Sequence, residues 1–222
     1  MSDNFYDKFY YKKSNFNGQA DILAPSAIKQ NKFYKRLICP EPGKKLLDVG
    51  CGTGTFLKAL EESGVDLWGI DISKNASEFA KKRVRKPEQI ICADANTLPF
   101  NDDEFDYLTA WGVIEHFPSI PQILKEVKRV VKKGGKIAIA TPNIYYYKFI
   151  WQTLRKGSGP VKHQEIESLY SFKEWKDLIE SAGLSILTIT RHNKFNKSIV
   201  SWLRNFLIPF YLSNHFVFIC TK

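Results

Sequence analysis

From Lys45 onward, short apolar runs alternate with amphipathic stretches. A short apolar run needs cover on both of its faces, and the amphipathic stretch that follows can supply it, which is the pattern of repeated βα units on a parallel sheet. Strands are predicted at residues 45–49 (KLLDV), 66–70 (DLWGI), 89–93, 106–111 and 136–141 (KIAIAT). Helices are predicted at 55–62, at 73–82 with Ser73 as N-cap, and at 120–131, ending before Gly134-Gly135. A further amphipathic helix over 171–182 is closed by Gly183 and followed by strands at 185–190 and 215–221 (HFVFICT). The last two strands lack the usual helical crossover, which points to an antiparallel final pair. The fold class is a doubly wound, Rossmann-like α/β sheet.

At 222 residues the chain fits one domain spanning 1–222. Within it, 44–141 reads as the cofactor-binding core, 1–43 as an N-terminal helical cap, and 142–170 and 192–214 as insertions on the substrate side. Open α/β sheets bind ligands outside the carboxyl ends of their strands, and the two insertions begin at or pack beside such ends. Residues 1–10 lack the layout of a signal peptide, and no apolar run reaches the roughly 18 residues of a membrane span, so a cytoplasmic address is expected. Cys39, Cys51, Cys92 and Cys220 are too scattered for a zinc site or a disulfide framework and read as reduced, small core residues.

The net charge of +10 could signal nucleic acid, so its distribution matters. Residues 1–43 hold seven Lys/Arg against four Asp/Glu, 44–190 hold 21 against 19, and 191–222 hold five against none. The excess sits at the ends, which suits a basic rim around a pocket, contact with anionic lipid or phosphate, or a solvated surface.

The first strand runs directly into Asp48-Val49-Gly50-Cys51-Gly52-Thr53-Gly54 and then a helix, so glycines at alternate positions make a tight turn that a ligand can approach closely. A dinucleotide fingerprint would need glycine where Thr55 stands, and the Gly-Lys-Ser/Thr ending of a P-loop is missing. Asp71 ends the second strand, where a carboxylate can accept both hydroxyls of a ribose. Asp94 ends the third, within reach of an adenine amino group.

These residues, together with LLDVGCGTG (46–54), GID (69–71), CADANTLPF (92–100), FDYLTAWGVIEH (105–116) and GGKIAIATPN (134–143), resemble the class I S-adenosylmethionine (SAM)-dependent methyltransferases, in particular the small-molecule group with a type 11 methyltransferase domain. The resemblance implies a seven-stranded sheet, mostly parallel with an antiparallel last strand. It implies SAM as cofactor, leaving as S-adenosylhomocysteine, with its methionine end over Asp48, Gly50, Cys51, Gly52 and Gly54 and its ribose on Asp71. The adenine would lie near Ile72, Asp94 and Ala95. Trp111 and Gly112 would border the transferred methyl.

Transfer from a sulfonium is an in-line displacement at an already activated carbon, so positioning and desolvation do much of the work. A base is needed only if the acceptor must lose a proton, as an alcohol or phenol does. His163, in the segment expected to cover the acceptor, is the preferred base, and His116 is the alternative. The Glu115-His116 pair is general in resembling enzymes and reads mainly as structural. His192 and His215 have no supporting context, and no metal is expected.

Exocyclic-amine enzymes carry an Asn/Asp-Pro-Pro-Tyr/Phe stretch, and cytosine-carbon enzymes a Pro-Cys nucleophile, where this chain has Trp111-Gly112-Val113-Ile114. That weighs against nucleic acid and for a small-molecule acceptor, most simply an oxygen of a sugar, phenol or lipid-linked precursor. An RNA-directed enzyme and an inactive SAM-binding regulator are the alternatives. The aromatics of 143–162 suit a pocket wall or a packed insertion. An apolar helical stripe over 198–211, ended or kinked at Pro209, suits docking on an anionic membrane, a cover over a lipid-linked substrate, or packing on the domain or a second subunit.

Overall fold

The computed structural model describes residues 25–157, 168–192 and 209–222. Seven strands are present: β1 (Lys45–Val49), β2 (Asp66–Asp71), β3 (Ile90–Cys92), β4 (Phe105–Trp111), β5 (Val131–Pro142), β6 (Ser185–His192) and β7 (His215–Thr221). They form one sheet in the order β3-β2-β1-β4-β5-β7-β6. β1 pairs in parallel with β2 and β4, β2 with β3, and β4 with β5. β7 inserts between β5 and β6 and runs antiparallel to both, so the final pair is antiparallel and only the last strand is reversed.

The described helices are α1 (Pro25–Ile38), α2 (Thr55–Leu60), α3 (Lys74–Arg83), α4 (Ile120–Val130), α5 (Tyr147–Lys156) and α6 (Phe172–Ser181). Strand residues alternate between two cores, because successive side chains point to opposite faces. Leu47, Val49, Leu108, Ile137 and Phe218 pack with α4 and α6, whereas Leu46, Tyr107, Ala138 and Val217 pack with α1, α2 and α3. Each fully buried large side chain contributes roughly 1.5–3 kcal/mol. Gly69 in β2 marks a close approach between layers: a Cβ there would lie 2.7 Å from Leu57 and 2.9 Å from the Cys51 sulfur.

Local signals set the helix ends. The Ser73 hydroxyl accepts from the Ala76 amide at 3.0 Å. Ser171 and Glu174 form a reciprocal capping box at α6, and Gly183, at φ +76°, closes it.

Four expectations are corrected. β5 starts at Val131, directly on the end of α4, instead of at 136; Phe105 pairs with Val131 and Tyr107 with Lys136, so 132–135 bulge out around Gly134 at φ +77°. The first βα helix ends at Leu60 and tightens into a 3₁₀ turn, Glu61–Ser63. Gln89 lies in a 3₁₀ turn ahead of a shorter β3. All four cysteines are free, but only Cys51 and Cys220 are buried while Cys39 and Cys92 are exposed. Residues 1–24, most of the stripe over 198–211, and His163 lie outside the described residues.

Candidate functional site

The chain leaves β1 and turns over the carboxyl ends of β1 and β2, at the point where strand order reverses between β1 and β4. Gly50, Gly52 and Gly54 all have positive φ, at +68°, +53° and +75°. A Cβ on Gly50 would fall 2.4 Å from Val113 Cγ2, so this position must be glycine on two counts.

The turn's amide donors are directed inward. Gly50 and Cys51 donate to the Ile70 carbonyl at 2.8 and 3.0 Å, Gly54 to the Cys51 carbonyl at 2.9 Å, and Gly52 to Asp71 Oδ2 at 2.8 Å. Asp71 Oδ1 accepts from the Ser73 amide at 2.9 Å. Asp71 is the residue expected at a ribose, and the structure shows that its carboxylate pins the glycine turn.

Arg83, in the last turn of α3, reaches back to donate to both the carbonyl and the hydroxyl of Thr53 at 2.7 Å. Nothing in the local pattern of residue 83 marks this, since a basic residue in a last helical turn ordinarily serves the helix dipole.

Asp48 is buried beneath the turn, where Thr109 donates to its Oδ1 at 2.6 Å. Burial pushes its carboxyl from 3.8 up to about 7, against the lowering effect of the Thr109 bond and with a smaller push from the Asp71 charge. At the neighbouring strand end, Asp94 Oδ1 accepts from the Asn96 amide at 2.9 Å and caps the short turn that carries the buried Ala95. Ile72 is exposed beside them. Thus Asp48, the glycine turn, Asp71, Ile72, Asp94 and Ala95 line three adjacent strand ends.

At the end of β4, Gly112 turns at φ +68° and donates to the Ala140 carbonyl at 3.0 Å. The Trp111 indole stacks flat on Tyr34 of α1, with centroids 3.8 Å apart at 1°, and Phe56 meets both rings edge-on. Its buried Nε1 has no hydrogen-bond partner among the described residues. Glu115 is buried, with Oε1 3.9 Å from His116 Nε2, and its backbone carbonyl accepts from the Ser168 amide at 2.8 Å.

Sequence reasoning left His192 without a context, and the fold supplies one. It is buried at the end of β6, stacked on Phe33 with its Nδ1 3.4 Å from the Tyr34 hydroxyl, and it sits opposite His215 in the β6–β7 pairing. Burial lowers the imidazole from 6.5 to about 4 and raises the Tyr34 phenol to about 12, so both are neutral at physiological pH. Tyr34 itself was missed, because its partners lie 77 and 158 residues away and no local signal marks them.

A methyltransferase-domain family model matches residues 47–139. Among curated proteins, a demethylmenaquinone methyltransferase of Bacillus mycoides is 38% identical over 68% of this chain and 68% of its own length. Methyltransferase GfsG of Streptomyces halstedii is 31% identical over 84% of this chain and 69% of its own. Among solved structures, a Thermotoga maritima protein described as a SAM-dependent methyltransferase, possibly acting on histamine, aligns over 98% of both chains with a TM-score of 0.70 at 19% identity.

Proposed function

This chain belongs to the class I SAM-dependent methyltransferases, and from that premise we propose that it methylates an oxygen of a small molecule, such as a sugar, a phenol or a lipid-linked precursor. The observation that supports the oxygen acceptor is the buried Nε1–H of Trp111 at the end of β4, which has no hydrogen-bond partner among the described residues. A buried donor without a partner costs roughly 1–3 kcal/mol, a cost that an acceptor oxygen with spare lone pairs would remove. The flat Tyr34–Trp111 stack beside it offers an aromatic wall for a ring.

The glycine turn fits SAM better than a phosphate-bearing nucleotide. Four of its amides are already used inside the protein, so they form no donor nest for a pyrophosphate. The turn instead offers close backbone approach beside Asp71, whose carboxylate suits the ribose hydroxyls, with the buried carboxyl of Asp48 beneath it on the side of the ammonium of the zwitterionic amino-acid tail. SAM, when bound, supplies a methyl carbon activated by its sulfonium. Asp71 would orient the ribose, Asp94 and Ala95 would flank the adenine beside Ile72, and Trp111 with Gly112 would exclude water near the methyl. His163 remains the proposed base, and His116, held against Glu115, orders the turn after β4.

Trp111→Phe tests the acceptor assignment, since it keeps an aromatic ring to stack on Tyr34 while removing the N–H along with the pyrrole half of the indole. The KM for a hydroxyl acceptor should rise about tenfold with S-adenosylhomocysteine affinity unchanged. An unchanged KM would remove the N–H from the acceptor site. For the base, His163→Ala should lower kcat by ~10²–10⁴ with cofactor affinity intact, and full activity would exclude it.

A further inference from the structure

We propose that α5 is an interfacial helix that docks this protein on an anionic phospholipid surface at the mouth of its acceptor site, which deepens the lipid-linked form of the acceptor reading and rests on it. Three observations carry this. The first is exposure: α5 has no buried side chain, and on it Trp151 and Leu154 are 59% and 79% exposed, with Ile150 beside them. Residues 150, 151 and 154 share one face of a helix, so these side chains form a stripe, while Phe149 and Gln152 on the other side are only part-exposed.

The second is charge. Between residues 143 and 157 there are three cations, Lys148, Arg155 and Lys156, and no acid. The Arg155 guanidinium lies 4.3 Å from the Trp151 ring centroid, so a cation flanks the apolar stripe. A groove for an apolar protein segment would not require this one-signed flank, whereas an anionic leaflet complements both features, and each cation near it strengthens partitioning about fivefold.

The third is position. Buried Asn143, the first residue past β5, accepts from the Tyr145 amide at 3.0 Å and donates from Nδ2 to the carbonyls of Tyr211 and Ser213 at 2.7 and 2.8 Å. One side chain therefore ties together the backbones of two residues with exposed rings, Tyr145 at 56% and Tyr211 at 61%, beside the start of α5. Tyrosine and tryptophan favour the headgroup layer, where one end is apolar and the other wet. The anchors are thus tied to the rim where β5 ends. At ten residues α5 is about 15 Å long, which suits lying in an interface and not crossing it.

The test is flotation of the full chain with vesicles of phosphatidylglycerol and phosphatidylcholine, against phosphatidylcholine alone, with S-adenosylhomocysteine calorimetry in parallel. The expected result is binding to the anionic vesicles that weakens as salt is raised, and a Trp151→Ala/Leu154→Ala variant that partitions at least about tenfold more weakly with unchanged S-adenosylhomocysteine affinity and melting temperature. Absence of flotation, or equal flotation of the variant, overturns the proposal. So does a variant whose main change is loss of self-association, which would make a second copy the occupant, or loss of single-stranded RNA binding, which would assign the cations to nucleic acid. Flotation without S-adenosylhomocysteine binding would uphold the docking and overturn the methyltransferase reading; the reverse outcome would sink the docking alone.

Discussion

The two halves of the carboxyl rim are built on opposite principles. Around β1, β2 and β3, short backbone bonds, positive-φ glycines and carboxyl groups interlock within about one βα unit, and Gly52 and Ser73 are held by one carboxylate. Beyond β4 and β5, the rim is made of aromatic rings brought together from α1, β4, β6 and the segment before β7, and it ends in a helix with no buried side chain. On the proposed reading, a cofactor common to a whole family would be held by the backbone cradle, and an acceptor that differs from member to member would meet side chains that can change without disturbing the sheet.

The largest expected effect comes from removing the support of the aromatic half. Trp175 is fully buried and donates to the Pro142 carbonyl at 2.9 Å, just where β5 hands over to Asn143. Trp175→Ala should lower stability by about 3–5 kcal/mol in urea titrations and weaken acceptor binding more than cofactor binding in whatever remains folded. Equal weakening of both would show that the halves are mechanically one.

Next in size is Asp71→Ala, which removes the proposed ribose acceptor and the anchor of the Gly52 amide together. S-adenosylhomocysteine affinity should fall by about 2–4 kcal/mol. A loss below tenfold by calorimetry would mean that the cradle holds its ligand without this carboxylate.

The pH dependence of stability should have opposite signs in the two halves. Asp48 is raised from 3.8 to about 7, so the folded state keeps a proton that the unfolded chain has lost, and its contribution falls as pH rises from about 4 to 7. His192 is lowered from 6.5 to about 4, so its contribution is complete above 6.5 and is lost as pH falls towards 4. Each should be worth on the order of 1–3 kcal/mol between pH 4.5 and 7.5. Asp48→Asn should therefore gain relative stability towards pH 7.5, and His192→Phe towards pH 4.5. Variants that shift in the same direction would refute the assignment.

The smallest effect belongs to the exposed end of the aromatic half. Leu154→Ser should change stability by no more than about 0.5 kcal/mol, because the side chain touches little. A larger loss would show that α5 packs more closely than its exposure indicates and would weaken the docking proposal from a second direction.

Most of the sheet was legible because each strand's burial is written in its own few residues, as KLLDV and HFVFICT show. The errors fell where a long-range partner overrides local preference. Residues 132–135 read as a loop after a helix ending at 131, yet Val131 already pairs with Phe105, and the bulge absorbs the difference. Cys39 and Cys92 read as core because their spacing fits neither a zinc site nor a disulfide framework, but Cys39 follows the last residue of α1, Cys92 ends β3, and both are exposed.

The sequence by itself determined the order of βα units, the glycine turn, the cap at Ser73, the closing Gly183, and the acidic residues at the ends of β2 and β3. All of these depend on backbone preferences and contacts a few residues apart. Only the tertiary structure decided that Arg83 clamps Thr53 and that Asp48 is buried deeply enough to hold a proton near neutrality. It also decided that Tyr34 lies flat on Trp111 beside His192. Those outcomes depend on which surfaces meet and how much water they exclude, and that is settled by packing between elements far apart in the chain, which no local pattern encodes.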